Sequence, residues 1–154
     1  MPVIRLRLVI HAPQKIVFDL SRNIDIHQQS TAHTGEKAIA GRTSGLIEAG
    51  ETVTWRAKHL GIRQELTSRI TAMEPYSFFV DEMVKGAFKS IRHEHHFVAL
   101  DDQTTQVDDI FDYRSPFGLL GKLADVLFLE RYMRHLLLKR NEFIKECAES
   151  KKMA

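Results

Sequence analysis

Residues 104–147, TTQVDDIFDYRSPFGLLGKLADVLFLERYMRHLLLKRNEFIKEC, contain the change of rhythm that decides the fold. Thr104 to Arg114 alternates, so Val107, Asp109, Phe111 and Tyr113 share one face of a strand. Ser115-Pro116 then stops the alternation. Serine suits a helix N-cap, and proline suits the first helical position, where a missing N–H costs nothing. Leu119, Leu123, Val126, Leu127, Met133, Leu137 and Ile144 follow as a wide helical stripe. The spacing predicts a helix to about Cys147, about 30 residues or roughly 45 Å long. Gly118 and Gly121 weaken its first turns, and the polar tail from Glu149 to Ala154 is expected to fray.

Upstream of this stretch the texture is that of strands. Alternating segments run over Lys37 to Gly41, Glu51 to Leu60, Ile62 to Ala72, Tyr76 to Val84 and Phe88 to Leu100. Short turns at Gly61, Glu74-Pro75, Lys85-Gly86 and Asp101-Asp102 join them, which predicts an antiparallel meander. Val3 to Ile10 is a further strand, with Ile4, Leu6, Leu8 and Ile10 on one side. Pro13 opens a first short helix at its first position. The polar stretch Asn23, Asp25, His27 marks a break and a second short helix before Gly35. Strand, two short helices, a run of strands and one long C-terminal helix make an α+β fold with two packed layers. A curved antiparallel sheet cannot be covered tightly by one straight helix, so a pocket is expected where the two diverge.

The 154 residues are expected to form one domain, 1–154. The formal net charge of +2 is too small, and too interspersed with acids, to imply nucleic acid or an anionic membrane. Cys147 is the single cysteine, so no intramolecular disulfide can form, which fits a reducing compartment. No segment has a signal-peptide pattern or the roughly 18 apolar residues of a membrane span. A cytoplasmic protein is the expectation. Nucleophile-elbow, phosphate-loop and dinucleotide-binding motifs are missing from the sequence, and no cofactor is expected.

Local motifs add a resemblance. Gly50-Glu51-Thr52-Val53-Thr54-Trp55-Arg56-Ala57, then Pro75 to Glu82, Gly86-Ala87-Phe88-Lys89 and His93-Glu94-His95-His96-Phe97 stand in one order along the chain. Asp109, Tyr113 and Pro116 follow. Together they resemble a bacterial ligand-binding branch of the SRPBCC superfamily, the helix-grip proteins related to START domains and birch-pollen allergen. The resemblance covers about residues 2 to 147. It implies a curved sheet gripping a long C-terminal helix, and a cavity for lipids, sterols, quinones, polyketides or hormones. Some members of the superfamily cyclise or dehydrate polyketides. The Rieske iron–sulfur elaboration needs more cysteines than this chain has.

Strand parity brings the candidate site together. Trp55, Ala57 and His59 share a face, as do His93, His95 and Phe97, and Val107, Asp109, Phe111 and Tyr113. These sets are placed on the concave side, with Arg56, Lys58, Arg92, Glu94, Asp108 and Asp112 outside. Ile91 and Ile110 stand as exceptions to the alternation. The expected ligand-binding residues are Trp55, His59, His93, His95, Phe97, Asp109, Phe111, Tyr113 and, from the helix, Met133. No catalytic or metal-binding residue is assigned.

Four readings of the polar members stay open. They form a network satisfied within itself, they orient a ligand, they act as acid and base with Asp109 orienting His93 or His95, or they hold a metal with Asp109 or His59 as third ligand. Arg131, Arg134, Lys139, Arg140 and Lys145 read as a solvated helix face. Leu127-Phe128-Leu129, Tyr132 and Leu136-Leu137-Leu138 leave an apolar surplus, a candidate homodimer face or a patch that touches a membrane without inserting stably. The sequence thus points to a carrier or sensor of a small hydrophobic molecule. A cyclase-like enzyme and a protein–protein module are its rivals.

Overall fold

The computed structural model describes residues 2–153. Strand β1 (Val3–Ile10) leads into α1 (Gln14–Ser21), α2 (Ile24–Ser30) and a 3-10 turn at Ala32–Thr34. Strands β2 (Lys37–Gly41), β3 (Thr52–His59), β4 (Ile62–Glu74), β5 (Phe78–Lys85), β6 (Ser90–Asp101) and β7 (Thr104–Arg114) follow. The chain then enters α3 (Gly118–Ala124), a π turn at Asp125–Leu129, and α4 (Glu130–Met153). The seven strands form one sheet in the order β1-β7-β6-β5-β4-β3-β2, with every neighbouring pair antiparallel. This is the helix-grip arrangement the sequence implied.

Register irregularities at Thr67/Ser68 and Ile70/Ala72 in β4, and at Ala38/Ala40 in β2, supply curvature. An extra residue bends a strand and increases its local twist. The predicted faces hold. His93, His95 and Phe97 in β6, and Val107, Asp109, Phe111 and Tyr113 in β7, are all buried. Ile91 is no exception: it shares the parity of His93 and is buried on the same side. Ile110 lies on the opposite face, between Asp109 and Phe111, and is half-buried.

Both helix openings differ from expectation. Pro13 takes the N-cap position rather than the first helical one, a shift of one residue. At the C-terminal helix the difference is larger. Ser115-Pro116 does not cap it. Phe117, with φ 68°, at the N-cap and Gly118, with φ 55°, as the first residue of α3 both have positive, left-handed φ. Ser115 Oγ donates instead to Asp125 Oδ1, folding the entry segment back over α3. Gly121 is required by this return, since a Cβ there would lie 2.1 Å from the Pro116 carbonyl oxygen.

The expected single stripe is therefore broken. Leu119 (83% exposed), Leu123 (55%) and Leu127 (63%) face away from the sheet, with Phe117, Leu120 and Phe128. The side chain of Val126, also expected on the stripe, lies outside the described residues. Burial resumes in α4 with Leu137, Ile144 and Ala148. This helix runs to Met153, past the expected end at Cys147, and Glu149 accepts a hydrogen bond from the His11 backbone N–H. Among the described residues, no helix is long and apolar enough to cross a membrane.

One hydrophobic cluster joins Ile10, Val17, Phe18, Phe79, Phe97, Ile144 and Ala148, and a second joins Ile4, Ile91, Phe111, Tyr113 and Leu137. Phe18, fully buried, meets Phe79 at 5.8 Å and Phe97 at 5.3 Å in edge-to-face contacts. Phe18→Ala is expected to cost about 3–5 kcal/mol in urea unfolding. A loss below about 1 kcal/mol would contradict this packing.

Candidate functional site

The sheet curves away from α4, and a cavity of about 250 Å³ remains between them. Its apolar wall includes Ile70, Phe79, Ile91, Phe111, Leu129, Met133 and Leu137. Of the residues singled out from the sequence, Trp55, His59, His93, His95, Phe111 and Met133 line it. Phe97, Asp109 and Tyr113 do not. They are buried behind the wall, Phe97 in the first cluster and Tyr113 in the second.

Trp55 and His59 stand on one face of β3 and belong to separate local pairs. Trp55 packs its ring on His27 of α2, with centroids 4.3 Å apart. His59 Nδ1 lies 2.7 Å from the Tyr132 hydroxyl, which ties β3 to α4. Burial pushes the His59 imidazole below its ordinary value, so it favours the neutral form.

The chemistry concentrates on β5, β6 and β7, where register sets His93 opposite both Asp81 and Phe111, and His95 opposite both Phe79 and Asp109. The His93 and His95 rings lie 3.8 Å apart. Phe79 stacks on His95 at 4.2 Å, and Phe111 meets His93 edge-on at 5.0 Å. These rings leave the imidazoles little freedom to turn. His95 Nε2 lies 2.8 Å from Asp81 Oδ2. His95 Nδ1 lies 3.1 Å from Asp109 Oδ1, in a contact too bent to count as a hydrogen bond. Asn141 Nδ2, from α4, donates to Asp109 Oδ2 at 2.7 Å. His93 Nε2 is 3.5 Å from Asp109 Oδ1 and, among the described residues, has no hydrogen-bond partner.

Two members of this cluster escaped the sequence reading. Asp81 shares the parity of Phe79 on β5, so an acid on an otherwise apolar face was the available signal. Arg140 was placed on a solvated face by its charge alone, whereas it is 6% exposed and lines the cavity. Its spacing from Leu137 and Ile144 puts it on the buried stripe. Arg140 donates to the Ser21 carbonyl and to Asn141 Oδ1.

Burial alone would raise a carboxyl and lower an imidazole. Burial opposes ionisation of Asp109 and Asp81, but the imidazoles beside them outweigh it and hold both below the usual carboxylate range, Asp109 well below. Burial likewise opposes charge on His95, yet its two carboxylate neighbours raise it above 6.5. Burial and the adjacent His95 charge lower His93. These directions favour positive charge on His95, between two carboxylates, over charge on His93. Asp81, His93 and His95 also offer one donor atom each within 4.8 Å of one another, a set able to hold a metal.

These shifts have signs that combine. The raised His95 contributes stability that is complete below pH 6.5 and lost as pH rises through its folded value. The lowered His93 costs stability as pH falls below 6.5. Asp109 and Asp81 contribute above 3.8 and are lost as pH falls through their folded values. The urea midpoint is expected to peak near pH 6.5 and fall to either side, with His95→Gln removing the alkaline fall. A midpoint that rises steadily from there toward alkaline pH would contradict the assignment.

The family model for polyketide cyclase / dehydrase and lipid transport matches residues 10–138. A comparison of the sequence with curated proteins finds no match. Among solved structures, TTHA0849 from Thermus thermophilus is 15% identical with a TM-score of 0.78, over 97% of this chain and 99% of that one. The ZhuI aromatase/cyclase from Streptomyces sp. R1128 is 15% identical with a TM-score of 0.74, over 96% and 93%. Norcoclaurine synthase from Thalictrum flavum, a point mutant bound to a transition-state analogue, is 11% identical with a TM-score of 0.71, over 98% and 96%. Identities this low carry the fold and nothing finer. With the family model covering most of its length, the chain belongs to the polyketide cyclase/dehydrase and lipid-transport family.

Proposed function

We propose that this protein carries or senses a small, largely apolar molecule with one polar end, held between the sheet and α4. The observation that carries the reading is a cavity whose apolar walls meet the half-buried Asp81 and the buried His93, His95 and Arg140. Its volume, about 250 Å³, falls just below the range of drug-sized sites, roughly 300 to 1,000 Å³, and suits a small guest. Apolar walls supply affinity, and a few fixed polar groups supply orientation. A lipid, quinone, isoprenoid or polyketide-like aromatic has this chemistry, and the family description includes both cyclisation and lipid transport.

A cyclase- or dehydratase-like reaction is the second reading. It is favoured by the unpartnered Nε2 of His93, an imidazole at the cavity wall that burial and the neighbouring His95 push toward its neutral form. His93 would take a proton, with His95 and Asp109 fixing its surroundings. The exposed apolar face of α3 and the π turn is where we place a second copy of the chain, and a reducing cytoplasm is the setting proposed from the lone Cys147.

Trp55 is the only tryptophan and lines the cavity, so its fluorescence reports occupancy directly. A naphthoquinone probe is expected to quench it saturably, and His93→Gln to weaken that binding by about three- to thirty-fold. No saturable quenching would sink the carrier reading. Loss of turnover of a poly-β-keto substrate in His93→Gln, with probe affinity unchanged, would favour the enzyme. In analytical ultracentrifugation the chain is expected to gain mass with concentration, and Leu120→Glu to hold it monomeric. A monomer at every concentration would remove the proposed dimer.

A further inference from the structure

We propose that Asp81, His93 and His95 form a mononuclear site for a divalent transition-metal ion, open toward the cavity. The inference goes beyond apolar ligand binding and does not depend on it. The three donors come from adjacent paired strands, with Asp81 on β5 opposite His93 on β6. Backbone pairing, rather than a flexible loop, fixes their separation. One ligand atom from each lies within 4.8 Å of the others.

Three observations distinguish this cluster from a self-satisfied polar network. First, His93 is 6% exposed, and its Nε2 has no hydrogen-bond partner among the described residues. A buried polar atom left unpaired costs about 1–3 kcal/mol, so the histidine pair is not satisfied within its own network. Second, a carboxylate stands beside the nitrogen of His95 that faces away from Asp81. Asp109 stands behind its Nδ1 at 3.1 Å, and Asn141 fixes Asp109 from α4 at 2.7 Å. A carboxylate behind the non-ligating nitrogen orients a ligand histidine and raises its basicity. Third, Asp81 and both histidines line the cavity, so a fourth position is available to water or to a polar group of a guest.

Charge bears on the choice of ion. Asp81 and Asp109 bring two negative charges, and Arg140 one positive charge. Arg140 opposes a cation electrostatically, although its hydrogen bonds run to Ser21 and Asn141 rather than to Asp81. A divalent ion replaces the proton between His95 and Asp81 and leaves one net positive charge. An anionic oxygen at the open position suits that charge. Two imidazoles and one carboxylate favour zinc, iron(II), cobalt(II) or nickel over magnesium or calcium, which prefer all-oxygen sets. The third ligand is thus Asp81, in place of Asp109 or His59. Asp109 stands behind the site, and His59 is engaged with Tyr132.

The test uses the metal alone. Protein stripped with a chelator is titrated with Co²⁺, followed by calorimetry and visible absorption, and with Zn²⁺, followed by thermal unfolding. The expected result is one equivalent per chain with Kd below about 10 μM, a four- or five-coordinate cobalt spectrum, and a higher Tm with zinc. Asp81→Asn and His93→Gln are each expected to weaken binding at least ten-fold and to abolish the Tm shift. Both substitutions preserve size, and circular dichroism checks that each variant folds. The wild-type titration decides the matter even if one does not. No binding at about 100 μM, or binding unchanged in both variants, overturns the site. Either outcome leaves quinone binding at Trp55 untouched.

Discussion

The constraint on which the rest of the structure depends is a carboxylate that has lost its water. Asp109 is 1% exposed in the middle of β7. An ionised carboxyl in such a place survives only where donors and positive charge surround it. Asn141 comes from α4, and His95 comes from β6. The same contacts that keep Asp109 charged therefore fix the height of the helix over the sheet. They also clamp one face of His95, whose other face meets Asp81 at the cavity. A residue outside the cavity lining thus governs the chemistry inside it.

The C-terminal helix divides its labour along its length. From Leu137 onward it packs and anchors, burying Leu137, Arg140, Asn141, Ile144 and Ala148. Before that, α3 turns its apolar side outward and sets Gly121 and the Asp125–Ser115 bond inward. Two residues of positive φ, Phe117 and Gly118, open this segment and a π turn follows it. π turns interrupt regular helix geometry and often occur at functional places. Leu129, Tyr132 and Met133, which close the turn and open α4, line the cavity. The least regular part of the helix is therefore the part next to the space it covers.

How much was legible follows from which physical rule each feature obeys. The strands and the inward set His93, His95, Asp109 and Phe111 came from period-two alternation, a strong local signal, and the two short helices from Pro13 and the polar break at Asn23 to His27. Asp81 needed the same parity rule applied to β5. Arg140 needed helical spacing to override the expectation that a charged residue is solvated. The outward face of α3 was not legible, because amphipathic spacing shows that a stripe exists but not which way it turns. That direction is set by Phe117, Gly118 and Gly121, whose backbone geometry emerges only from tertiary packing. Which candidates reach the cavity, and which stand one layer behind it, likewise depended on curvature that no spacing encodes.

The most direct measurement of the central claim is native mass spectrometry of the protein purified from its own host without detergent. A polar cluster sealed against apolar walls predicts a reproducible non-covalent adduct of small-molecule mass, released on denaturation and diminished in His93→Gln. Repeated preparations that carry no adduct, together with a crystal structure in which side chains fill the space between the sheet and α4, would contradict the account.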